Sequence, residues 1–145
     1  MKTLNDFIST YQIPLINAIF YDDGKILVID SYYVGEKFEL RILCESSINS
    51  FFSFNEIDDI SNFDIICTKN CNGYCIACGE GSYGSDGIIY VVDIAKHKLL
   101  WGIYLNNSNP FSRIDYVCEE VIASSTKGFK LIIPIKAPEK LRVEN

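Results

Sequence analysis

The sequence holds one histidine, one methionine, one tryptophan and four prolines, and fewer basic than acidic residues, 13 against 19. The lone His97 sits between Lys96 and Lys98, with no carboxylate or nucleophile beside it. It reads as a solvated turn residue, which argues against a histidine-dependent nucleophilic triad. The net charge of −6 argues against a nucleic-acid surface, because phosphate binding needs concentrated Lys and Arg. No apolar run approaches the roughly 18–20 residues that cross a bilayer. Asn5 and Asp6 interrupt the stretch a signal peptide would need. These absences predict a cytoplasmic chain that meets neither nucleic acid nor membrane.

What is present suits a packed globule. A chain of 145 residues, 48% hydrophobic, is most simply one domain over residues 1–145, able to bury roughly 68–70% of its unfolded surface. Six cysteines in a chain with an ample core and no export signal read as reduced thiols.

Leu4, Phe7, Ile8 and Tyr11 share one helical face, and Thr3 and Asp6 have capping-box spacing, so a short N-terminal helix is expected. Strand patterns follow. Ile13–Phe20 and Lys25–Tyr33 flank the turn Asp22-Asp23-Gly24, and Lys37–Cys44 alternates as a strand with one wetter face. Over residues 45–62, Ser53 and Glu56 have cap spacing, and Phe54, Ile57 and Ile60 could line a helix. An irregular loop fits nearly as well. Further strands are expected at Asp64–Thr68, Tyr74–Cys78, Gly87–Asp93, Leu99–Leu105, Arg113–Cys118, Val121–Ser125 and Phe129–Ile135. The two strands from Gly87 and Leu99 are apolar on both faces and so belong between layers. Pro134 places the last strand at an edge or a bulge, and the charged tail 136–145 is expected to fray. The fold class is mainly β, with antiparallel sheets packed as a sandwich or an incomplete propeller-like stack.

Three motifs invite chemistry. Gly79-Glu-Gly-Ser-Tyr-Gly84 fits the dinucleotide fingerprint, but Ser85-Asp86-Gly87 leads into a strand where that fold needs a helix. Kinases place such a loop between strands, yet no His-Arg-Asp or Asp-Phe-Gly follows. A plain connection between strands is the expectation. Cys67, Cys71, Cys75 and Cys78 have spacings that raise an iron–sulfur cluster or zinc, but on a strand Cys75 and Cys78 point to opposite faces. Small buried apolar groups are the better reading. Adjacent acids at Asp22-Asp23, Asp58-Asp59 and Glu119-Glu120 read as exposed turn residues, and Trp101 reads as core. No catalytic residue, metal or cofactor is expected.

Gly87-Ile-Ile-Tyr-Val-Val-Asp-Ile-Ala-Lys-His-Lys-Leu-Leu-Trp101 resembles one blade of a quinoprotein-type β-propeller, with Asp93 and Trp101 its most telling positions and His97 where the usual turn has Gly. A closed propeller needs at least about four blades of roughly 40 residues, so a blade-like sheet within a larger stack is implied. If residues 74–105 form a meander, the loops 79–86 and 106–112 emerge at one end.

The run Gly-Glu-Gly-Ser-Tyr-Gly-Ser-Asp-Gly, followed by Leu-Leu-Trp and Asn-Asn-Ser-Asn-Pro-Phe, resembles small bacterial proteins of contact-dependent growth-inhibition and polymorphic toxin systems. The resemblance spans roughly residues 74–135. It implies an immunity protein whose partner is the C-terminal toxin domain of a cognate toxin, a basic nuclease being one class an acidic inhibitor suits. The expected partner-binding residues are Glu56, Asp58, Asp59 and Asp64 in the acidic cluster, and Glu80, Tyr83, Asp86, Asn107, Asn109 and Phe111 in the two loops. The alternative is a non-catalytic ligand-binding or scaffold module with blade-like β repeats.

Overall fold

Residues 3–54 and 59–145 are described in the computed structural model of the chain. Helix α1 (Leu4–Ser9) opens it, fixed by the capping box the sequence predicts: the Thr3 side chain accepts from Asp6 N–H, and Asp6 accepts from Thr3 N–H. The expected strand Ile13–Phe20 is two strands, β1 (Gln12–Pro14) and β2 (Ala18–Tyr21). β3 (Lys25–Val34) and β4 (Lys37–Ser47) form a long hairpin, and α2 (Ile48–Phe54) follows it. That helix starts earlier than the Ser53 cap expected from sequence. Glu56 and Ile57 lie outside the described residues.

β5 (Ile60–Cys71), β6 (Tyr74–Gly81), β7 (Gly87–Asp93) and β8 (Lys98–Leu105) run as a continuous antiparallel meander. The second half supplies β9 (Phe111–Val117), β10 (Glu120–Ser125), β11 (Lys130–Pro134) and β12 (Arg142–Glu144). Eight strands pair in the order β1-β5-β6-β7-β8-β2-β3-β4, and four in the order β12-β11-β10-β9. The fold is mainly β, two antiparallel sheets packed as in a sandwich.

Alternation explains the apolar runs. Ile89, Val91, Ile103 and Leu105 point into the core shared with Ile114, Val121, Leu131 and Ile133 of the smaller sheet. Ile88, Tyr90 and Tyr104 point the other way, into a second core with Leu4 and Ile8 of α1 and Ile48 and Phe51 of α2. The large sheet is thus covered on both faces, as β7 and β8 require. Trp101 is core, and its Nε1–H donates to the Ile135 carbonyl at 2.8 Å. Phe38 and Phe129 stack at 4.2 Å, and Phe111 meets Phe129 edge-on.

Two expectations for the C-terminus are corrected. Residues 138–140 form a 3-10 turn and Arg142–Glu144 pairs with β11, so the tail is a strand. Arg142 is held to Glu120 by two hydrogen bonds of 2.6 and 3.1 Å. β11 is consequently flanked on both sides. Pro134 fits because β12 pairs only with Lys130–Ile132, so no donor is needed that far along. Among the described residues, no helix is long and apolar enough to cross a membrane.

Candidate functional site

The meander brings the two loops to one end of the large sheet. Asn109 N–H donates to the Ser85 carbonyl at 2.8 Å, and the Ser85 hydroxyl donates to the Asn106 carbonyl at 3.3 Å. The second loop is pinned to β3: Asn107 Nδ2 donates to the Ser31 carbonyl, the Ser31 hydroxyl donates to Asn107 Oδ1, and the Tyr33 hydroxyl donates to the Asn107 carbonyl. A third segment joins through Asn17, whose Nδ2 reaches Asn106 Oδ1 at 3.0 Å while its own Oδ1 accepts from Asn106 N–H at 2.8 Å. These bonds hold three loops as one preformed rim.

Within the rim lies a cleft of about 580 Å³, lined by apolar Leu15, Ile16 and Val28 and by polar Tyr83, Ser85 and Asn106. Tyr83 is 66% exposed. Tyr104 also lines the cleft, and its hydroxyl donates to Asp86 Oδ2 at 2.8 Å, while Asp86 Oδ1 is buried with no hydrogen-bond partner among the described residues. Burial first, then the bond to Asp86, raises the Tyr104 phenol above its ordinary value. Gly81 makes room for this carboxylate, since a Cβ there would lie 2.0 Å from Asp86 Oδ2.

The expected contact residues separate into three groups. Glu56 and Asp58 lie outside the described residues. Asp86 and Phe111 are 0% exposed, which corrects their reading as contact residues: Asp86 is drawn inward by Tyr104, and Phe111 belongs to the aromatic core. Asn107 is half-buried and spent on the loop anchor, Asn109 is half-buried with φ +60, and Asp59 is half-buried with its carbonyl accepting from Leu15 N–H. Asp64 is exposed and Glu80 half-buried, and they stand directly opposite each other in the β5–β6 ladder. Asp64 of the acidic cluster and Glu80 of the glycine motif therefore meet at this end.

The cleft's wall and Asn17 had no sequence signal. The contact that places them spans 89 residues, and nothing local to residues 15–17 announces it.

The cysteines divide by face. Cys67 and Cys78 are register partners on the side of the sandwich core, with Cys71 packed against that core as well. Cys75 lies on the other side, near Tyr90. Among the described residues, no group of three His, Cys, Asp or Glu side chains is placed to hold a metal ion. Burial, followed by the neighbouring Cys67, pushes the Cys78 thiol up to about 12. Cys44 and Cys118 are exposed, so a thiol reagent should modify these two first and reach Cys78 only on unfolding. Peptide mapping after brief labelling checks this; early modification of Cys78 would contradict the packing.

No protein-family model matches the chain, and no curated protein or solved structure matches it either.

Proposed function

We propose that the protein is an immunity protein that binds and blocks the toxic domain of a cognate bacterial toxin, with a basic nuclease as the target class. The observation that supports this most is the opposition of Asp64 and Glu80 at the loop end. Like charges directly across a ladder cost roughly 0.2–1 kcal/mol, and neither makes an ion pair among the described residues. A basic surface docked there would relieve that repulsion, and the chain's net −6 would steer its approach. Tyr83, exposed in the loop that follows β6, has the character of an interface anchor: large, stiff, and apolar with a polar tip.

The test is co-expression with the toxin domain encoded beside this chain's gene. Wild-type chain is expected to protect growth. Tyr83→Ala is expected to weaken the complex by about 2 kcal/mol, roughly thirtyfold, with an unchanged melting temperature. Full protection and unchanged affinity in Tyr83→Ala combined with Asp64→Lys and Glu80→Lys would remove the loop end from the interface. No protection by the wild-type chain would end the immunity reading.

The cleft favours a second reading, a ligand-binding module. Its volume of about 580 Å³ falls in the roughly 300–1,000 Å³ range of small-molecule sites. Thermal-shift screening with small apolar ligands bearing one amide tests it, since only this reading expects stabilisation without a protein partner.

A further inference from the structure

The large sheet ends at β4, whose outer edge pairs with no other strand among the described residues, although β12 lies beside β4. Its bonding direction can be read from one contact. Phe38 N–H donates to Asn145 Oδ1, and Asn145 Nδ2 donates to the Phe38 carbonyl. The backbone of Phe38 therefore points away from β3. Alternation along an antiparallel strand then turns the N–H and C=O of Leu40 and Ile42 outward too, because the ladder with β3 stays in regular register up to Ile42. Side chains on this edge are also underused. Ile42 is 36% and Leu43 54% exposed. Arg41 spends only Nε on Asp30, at 3.1 Å, leaving its terminal nitrogens open. Glu39 has no partner among the described residues.

We propose that the β4 edge pairs with the β4 edge of a second copy of this chain, antiparallel about a twofold axis at Leu40. That register is self-complementary. Leu40 faces its own mate, and Ile42 faces Phe38 of the other copy, whose backbone exchanges the Asn145 carboxamide for a true strand partner. On the outer face, Glu39 of each copy meets Arg41 of the other. Each guanidinium then lies between Asp30 of its own chain and Glu39 of its mate, using nitrogens it does not use alone. Moving the twofold axis by one residue, to Arg41, would set Arg41 against Arg41, so charge selects one pairing. The two eight-stranded sheets become one continuous sheet with an isologous interface. Charges at an edge can instead serve to repel other strands, and the experiment separates these roles.

Light scattering on the purified chain at on the order of 100 µM should give twice the 16.4 kDa of one chain. Glu39→Arg alone, or Arg41→Glu alone, sets like charges across the axis, and each variant should run at single-chain mass with an unchanged circular dichroism spectrum. Mixed in equal amounts, the two variants are complementary and should return to double mass. A wild-type chain at single-chain mass would overturn the proposal and assign the charges to edge protection. Variants that keep double mass alone, or a mixture that stays at single-chain mass, would overturn it equally.

Discussion

Replacing Gly79 by alanine is expected to lower stability by at least about 3 kcal/mol, the upper end of overpacking costs. For a chain of this size that is roughly a 10 °C fall in melting temperature. The cause is backbone, not side chain. A Cβ at this position would lie 1.8 Å from the Asp64 carbonyl oxygen and 3.0 Å from Ile65 Cα. β5 approaches this closely because its ladder with β6 shifts register between Ile65 and Cys67, and a bulge of this kind bends one strand toward the other. Neither strand can yield, since Phe63 and Cys78 on either side are buried in opposite cores. Gly102→Ala is the control: the nearest atom to its added Cβ is 3.6 Å away, an ordinary contact, so stability should change by no more than about 1 kcal/mol. Equal melting temperatures for the two variants would show that the close approach is not structural.

The second large effect is expected from Tyr104→Phe. Asp86 is wholly buried and its Oδ2 depends on the Tyr104 hydroxyl, while Oδ1 has no partner. Removing the hydroxyl leaves a buried carboxyl with no donor, and orphaning a buried polar group costs roughly 1–3 kcal/mol. Tyr104→Phe with Asp86→Asn should recover part of that loss, because a neutral carboxamide costs less to bury without a donor than a carboxylate would. The pH dependence carries the same sign. Burial and Asp86 hold the Tyr104 proton more tightly in the folded chain than in the unfolded one, where the phenol titrates at 10.0. Its contribution is full below about pH 10 and drains as pH rises further. Denaturant titrations of both variants at neutral and alkaline pH check this. A Tyr104→Phe chain as stable as wild type would place Asp86 in a wetter setting than its burial indicates.

Local pattern carried the elements well where period and cap agreed. Thr3 and Asp6 marked α1, and the doubly apolar runs of β7 and β8 marked the centre of the large sheet. The glycine motif also had a structural answer, but a different one from a simple connection: β6 runs on to Gly81, and Gly79 and Gly81 are small because Asp64 and Asp86 crowd them. That reason is tertiary, and no spacing rule contains it. The same holds for the split at Leu15–Asn17. β1 joins β5 while β2 inserts between β8 and β3, so one apolar stretch serves two distant parts of the sheet. At the loop end, Tyr83 behaved as loop residues usually do, whereas Asp86 and Phe111 turned inward. An Asp within a polar loop gives no sign that a tyrosine on a neighbouring strand will bury it. The acidic residues at 64 and 80 became neighbours only through the β5–β6 register.

Association of the purified chain with the toxin domain encoded beside it, followed by stopped flow at low and high salt, tests docking of a basic partner at the loop end most directly. The expected result is fast association that slows steeply as ionic strength rises, a slope reduced by Asp64→Lys with Glu80→Lys, and faster dissociation in Tyr83→Ala. Association indifferent to salt and to all three substitutions, or no association at all, would contradict it.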